Sequence, residues 1–232
     1  METIISDFQK NIEKIFGGRL KSIILYGSSV TGSAPPPRDI NIMVVSDSIE
    51  EEDLLRYRSV AGRYQKKGIS NPIFMEADFF KNSANIFPLE YTEIKRTGKV
   101  ISGSDPFADL EIDMRNLGYQ VEFELRGKLL LLRKIFFATP HDGDLVPAMN
   151  ETISSLVTLA RGILIITGRH ASGGWDETVQ ELTAASGIEL EGLREIIEMR
   201  ARKKKVKQAA PLYLRYMDDV GKICGYVSGL TP

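Results

Sequence analysis

The sequence predicts an α+β protein, with strands and helices mixed over residues 1–108 and an all-α helical bundle over 109–232. Three observations carry this. Short β-branched runs alternate with helical patterns in the first half. Strand signals largely disappear beyond about Leu110. Five helical stretches follow, joined by Gly, Pro and Asp turns, as in an antiparallel bundle. The boundary falls after "SGSDPF", with no flexible linker to mark it, and the chain shows neither an internal repeat nor a low-complexity segment.

The elements can be justified in order. "ETIISDFQKNIEKIFGG" places Ile4, Ile5, Phe8, Ile12, Ile15 and Phe16 at helical spacing and stops at Gly17 and Gly18. "KSIILY" is a β-branched run ending in the turn "GSS", and "DINIMVV" is a second strand after a loop stiffened by Pro35, Pro36 and Pro37. Residues 50–67 form a charge-rich helix, with acids early and lysines late as the helix dipole favours. "NPIFMEADFF" and "FPLEYTEI" read as strands, and "GKVISGSDPF" as a short strand leaving through a turn. The bundle helices read from "VEFELRGKLLLLRKIFFA", "MNETISSLVTLARGILIITG", "WDETVQELTAASG", "ELEGLREIIEMRARKKKV" and "APLYLRYMDDVGKICGYVSGL".

Composition narrows the class. A hydrophobic share of 43% and a charged share of 26% in 232 residues are those of an ordinary soluble globular protein with room for a real core. No apolar run approaches the roughly 20 residues of a spanning helix, and acids interrupt the apolar N-terminus, so no membrane is expected and the protein should stay in the cytoplasm. A single cysteine, Cys224, fits a reducing compartment and reads as core. Residues 1–108 balance 14 Lys+Arg against 14 Asp+Glu, and the remainder 16 against 17, which lacks the basic character of a nucleic-acid-binding domain and favours a small-molecule substrate. A homo-oligomer is compatible with all of this.

The chemistry concentrates in "LYGSSVTGSAPPPRDINIMVV", Leu25 to Val45. Strand alternation puts Asp39 and Asn41 on one face and Ile40, Ile42 and Val44 on the other, so a polar pair sits at the rim of an apolar strand. Facing a Gly-Ser turn, such a rim suits phosphate and metal: turn N–H groups and a serine hydroxyl bind phosphate oxygens, and carboxylates hold Mg²⁺. Gly27 and Gly32 have the G-x-x-x-x-G spacing of a P-loop, but Ser33 stands where the phosphate-binding lysine belongs and no helix runs through Pro35 to Pro37.

"YGSSVTGSAPPPRDINIMVV" resembles the signature of the DNA polymerase β-type nucleotidyltransferase superfamily, in which Gly-Ser is followed about ten residues later by Asp-x-Asp in an apolar strand. The bacterial aminoglycoside and minimal nucleotidyltransferases look closest in layout. The resemblance implies a mixed sheet with flanking helices, then the helical bundle. It implies transfer of a nucleoside monophosphate from an NTP, ATP first among them, to a hydroxyl of a small-molecule acceptor in a cleft between the domains, with Mg²⁺ as cofactor. Gly27 and Ser28 would match the phosphate turn and Asp39 the first metal carboxylate. Asn41 stands where the second aspartate is expected, and Arg38 replaces the more usual serine. Glu90 would be the third carboxylate or the general base, with Glu76 and Asp78 as alternatives. An asparagine supplies a neutral carbonyl and one charge fewer, so the resemblance equally admits a catalytically inactive nucleotide-binding or regulatory module.

The remaining candidates read as structural. "ARKKKVKQ", Ala201 to Gln208, is a solvated helix end. His141 and His170 lie in turns without metal spacing, too far from a ribonuclease-like Arg-His pattern with Arg161. Arg133, Lys134 and Arg161 could border a substrate cleft or cover apolar surface.

Overall fold

The computed structural model describes residues 2–27, 30, 39–170, 173–202, 206 and 208–230. The chain divides into two compact units, Met1–Ile112 and Asp113–Pro232.

In the first unit, helix α1 (Glu2–Phe16) buries Phe8, Ile12, Ile15 and Phe16. Each such side chain contributes roughly 1.5–3 kcal/mol of apolar burial. Strand β1 (Leu20–Tyr26) follows directly, then β2 (Asn41–Ser46), helix α2 (Glu51–Gln65), the short β3 (Ile73–Glu76), α3 (Ala77–Ser83), α4 (Pro88–Thr97) and β4 (Lys99–Gly103). The sheet order is β3-β2-β1-β4, with β1 antiparallel to both β2 and β4 and β2 parallel to β3. It is therefore a mixed sheet.

Both faces of the central strands are covered, which is why their sequences are continuously apolar. Ile23, Leu25, Ile40, Ile42 and Val44 pack with α1 and α2, where Phe8 meets Tyr64 edge to face at 5.2 Å. Ile24, Met43 and Val45 pack on the opposite face with Phe80 of α3 and with Tyr91 and Ile94 of α4. At the β1–β4 edge, Gly103 has φ +79°, and a Cβ there would lie 1.9 Å from the Lys21 carbonyl oxygen. Only glycine allows that approach.

Two sequence readings need correction. "FPLEYTEI" forms helix, not strand: Pro88 occupies the first turn, and Pro88, Leu89, Tyr91 and Ile94 are buried on one side. In "NPIFMEADFF" the strand ends at Glu76, and Ala77 opens a helix.

The second unit is all-α: α5 (Met114–Ala138), α6 (Leu145–Ile166), α7 (Trp175–Ser186), α8 (Glu191–Arg202) and α9 (Ala209–Val227). Helix α5 begins one and a half to two turns earlier than its apolar run suggests, because the Asp113 carboxylate caps it by accepting the Arg115 N–H at 2.8 Å. Helix α6 is the core, packed against α5, α7, α8 and α9. Among the described residues it is also the one helix long and apolar enough to cross a membrane, within a stretch of mean hydropathy 1.2. Its buried face, from Leu145 through Ile153 and Leu159 to Leu164, is that of a bundle centre. Tyr213 and Tyr216 fill the bundle interior; the Tyr213 hydroxyl donates to the Leu132 carbonyl at 2.9 Å, and the Tyr216 hydroxyl lies 3.0 Å from Thr152 Oγ1. Burial pushes both phenols well above their ordinary pKa, Tyr213 to about 12. Asp219 is buried too and accepts the Leu193 N–H in the first turn of α8 at 2.9 Å.

Candidate functional site

The ends of β1 and β2 bring Gly27, Asp39 and Asn41 to one edge of the sheet. Tyr26 pairs with Asn41 and Ile24 with Met43, so Asn41 lies beside the last residue of β1 on the face that carries Met43 and Val45. Ile40 is buried on the opposite face, which extends the alternation and places exposed Asp39 on Asn41's side. Gly27 leaves β1 with φ +81°, and its carbonyl accepts the Val30 N–H at 3.1 Å, turning the chain at this edge. Ser28, the serine of the expected phosphate turn, lies outside the described residues, as do Arg38, Ser33 and Pro35–Pro37.

Asn41 is not a free ligand. Its Oδ1 accepts a hydrogen bond from Ser70 Oγ at 3.0 Å, and the same hydroxyl is 3.2 Å from the Ile40 carbonyl oxygen. A Cβ added at Gly27 would fall 2.8 Å from Asn41 Nδ2, so the amide covers the turn closely. Serine 70 was not among the residues expected here. Its signal is faint: a serine after "KKGI" reads as ordinary turn chemistry until the Ile40–Ile69 bridge brings it alongside β2. Gly27→Ala is therefore expected to lower stability by about 1–2 kcal/mol, combining left-handed strain with displacement of Asn41. Urea denaturation measures it.

The three candidates for the third carboxylate lie on different elements. Glu90 lies exposed in the first turn of α4, where its charge suits the helix dipole, rather than on a later strand. Glu76 ends β3 opposite Ser46, at the other end of β2 from Asn41, and its Oε1 accepts the Ile49 N–H at 3.3 Å. Asp78 is exposed in the first turn of α3. The β3 residues that share Asn41's face are Ile73 and Met75, paired with Met43 and Val45. Among the described residues, no group of three or more His, Cys, Asp or Glu could hold a metal ion.

This arrangement tests the implied Mg²⁺. A two-ion clamp needs several carboxylates to offset the cations, and the residues here set Asp39 beside a neutral amide already holding a serine hydroxyl, with no group of three such ligands among the described residues. They do not fit that clamp. They do fit one Mg²⁺ brought by a polyphosphate, since this ion is ordinarily held by one or two carboxylates together with substrate oxygens and water.

His141 and His170 are exposed. Arg133 and Lys134 are exposed on α5, while Arg161 donates to Thr178 Oγ1 at 3.3 Å and to the Gly173 carbonyl at 3.5 Å inside the second unit. Lys203–Lys205 and Lys207 of the basic run lie outside the described residues.

No protein-family model and no curated protein sequence matches the chain. Among solved structures it is similar to spectinomycin adenyltransferase AAD(9) from Enterococcus faecialis, solved with ATP and spectinomycin. The TM-score is 0.63 at 13% identity, covering 96% of this chain and 99% of that one. Two toxin–antitoxin structures also match. A mutant MntA–HpeT complex has a TM-score of 0.30 at 16% identity, over 43% of this chain and 73% of that one. A complex with AMP-PNP has a TM-score of 0.30 at 17% identity, over 45% and 74%. With the mixed sheet, the Gly27 turn and the all-α second unit already in place, the likeness to the adenyltransferase establishes that this chain has a nucleotidyltransferase fold.

Proposed function

We propose that the protein transfers a nucleoside monophosphate from an NTP, ATP first among them, to a hydroxyl of a small-molecule acceptor. The observation that carries this is the exposed Asp39 carboxylate set beside Asn41 and the left-handed Gly27 turn, at the edge of a nucleotidyltransferase sheet. In the reaction the acceptor oxygen attacks the α-phosphorus, the bond between the α-phosphorus and the bridging oxygen breaks, and pyrophosphate leaves while the hydroxyl proton passes to a base. Backbone N–H groups near Gly27 would hold phosphate oxygens, and Asp39 would hold the Mg²⁺ that the triphosphate carries. When bound, that ion supplies charge neutralisation at the phosphates. Asn41 would position the turn and contribute no charge. Glu90, exposed in the first turn of α4, would complete the metal site or act as the base that takes the hydroxyl proton. The ATP and spectinomycin of the similar adenyltransferase, and a net charge of −1, support an NTP donor and a small acceptor over a nucleic acid.

A second reading is a catalytically inactive nucleotide-binding module. The Ser70–Asn41 hydrogen bond and the apolar Ile73 and Met75 favour it, because β2 and β3 then add no second carboxylate to the face that carries Asn41. Incubation of the full chain with Mg²⁺ and isotope-labelled ATP over a panel of aminoglycoside and aminocyclitol acceptors separates the two. Acceptor-dependent pyrophosphate release is the expected result. Binding of ATP with no pyrophosphate from any acceptor supports the inactive module.

A further inference from the structure

Helix α5 is apolar on two opposite sides. Leu117, Val121, Leu125 and Leu132 are buried, and the helix packs on α6 and α9 within its unit. The other side carries a stripe at helical spacing: Tyr119, Phe123, Gly127, Leu130, Lys134 and Phe137. Tyr119, Phe123, Leu130 and Phe137 are 53%, 76%, 63% and 83% exposed. A soluble helix of 25 residues needs no second apolar side to hold its place in a bundle. Gly127 sharpens the point. It lies exposed in mid-helix, where glycine costs about 1 kcal/mol relative to alanine, and a Cβ there would meet nothing within 4 Å. Nothing among the described residues requires a glycine at that position, but a second helix approaching closely would.

We propose that this stripe is a self-association surface on which α5 of a second copy of the chain packs antiparallel, crossing between Gly127 and Leu130. In that register each Leu130 sits over the other copy's Gly127, and Tyr119 meets Phe137. Phe123 lies along the stem and ammonium of Lys134. The flanking charges select this orientation. Glu124 precedes the crossing point and Lys134 follows it, while Glu122 is held by Arg126 and Ser228 of its own copy. Antiparallel pairing sets Glu124 near Lys134 of the second copy, whereas parallel pairing sets Glu124 beside Glu124 and Lys134 beside Lys134. At roughly 150–250 Å² per aromatic side chain, the stripe exposes about 500 Å² of apolar surface per copy, or about 1,000 Å² for the pair. Flanking side chains bring the total to ~1,200 Å², the lower end of specific interfaces. A dimer dissociating at about 1–100 µM is the expected consequence.

Sedimentation velocity on the full chain from about 1 to 200 µM tests this. The expected result is a concentration-dependent monomer–dimer equilibrium that Leu130→Glu weakens at least tenfold. Gly127→Leu should weaken it likewise while leaving the thermal midpoint of the dilute monomer unchanged or higher, a pair of effects that misfolding cannot produce. Glu124→Lys and Lys134→Glu should each weaken the dimer, and the two together should restore it. A chain that stays monomeric through 200 µM overturns the proposal and leaves the stripe to a different partner. So does a dimer indifferent to Leu130→Glu, or a charge-swapped double variant no tighter than the singles.

Discussion

Asp39→Ala is expected to lower nucleotidyl transfer by about 100-fold or more while changing stability by less than about 0.5 kcal/mol. The two halves of this prediction come from one observation. Asp39 is exposed at the entry to β2, so its removal empties no core. It is also the acid that the Asp39–Asn41 strand contributes to this edge, so its removal takes away the charge that would hold a cation against the triphosphate. Asp39→Asn keeps size and polarity and should lose nearly as much, which separates charge from shape. Initial rates of pyrophosphate release and a urea melt on the same preparations measure both quantities.

Asp53→Ala is expected to destabilise the first unit by about 3 kcal/mol. Asp53 is buried at the start of α2, where its carboxylate takes Arg19 in a fork, with Nη1 2.7 Å from Oδ2 and Nη2 2.8 Å from Oδ1. It also accepts the Glu50 N–H at 2.9 Å, closing a capping box. Arg19 follows α1 and lies over the Phe16 ring at 5.8 Å, so this carboxylate ties the α1–β1 junction to α2. The Arg19 hydrogen bonds hold the Asp53 carboxyl below its ordinary pKa, outweighing the opposite effect of burial. Because the folded-state value is depressed, the stabilisation is fully present above the unfolded aspartate value near pH 4 and fades as pH falls through the lower folded value. Guanidinium melts between pH 2 and 7 should show that loss in the wild type and a shallower acid dependence in Asp53→Asn.

Much of the first unit was legible because its central strands are buried on both faces, and burial on both faces writes itself as the unbroken runs "SIIL" and "IMVV". The site strand was legible for a related reason: a polar residue on each side of Ile40, at the entry to such a run, can only be a rim. Helix α4 was misread because Phe87, Leu89 and Tyr91 alternate as a strand would, and the period-2 pattern hid the helical one through Pro88, Tyr91 and Ile94. Phe87 in fact stays 40% exposed, which breaks the alternation. Asp53 could not be picked out of the acidic run Glu50–Asp53, since sequence does not say which acid turns toward Arg19. The Ser70 contact and the apolar Ile73 and Met75 depend on the parallel β2–β3 register, a long-range pairing that no local pattern specifies.

The expectation that a further acid joins Asp39 and Asn41 came from resemblance alone, and the register explains why β3 does not supply it to Asn41's face through Glu76. What the described residues place at this edge is the left-handed Gly27 turn, the exposed Asp39 and an amide that lies close over the turn and accepts from Ser70. In the proposed reaction a nucleotide would be held through N–H groups and a single ion, with less to stabilise a departing pyrophosphate than a two-ion site would have.

The most direct measurement is calorimetric titration of the full chain with a non-hydrolysable ATP analogue in the presence of Mg²⁺, repeated on Asp39→Ala. One-site binding that weakens at least tenfold in the variant and on removal of Mg²⁺ is the predicted result. An absence of binding to ATP, GTP, CTP or UTP analogues, or binding indifferent to Asp39, would contradict the placement of a nucleotide site at this edge.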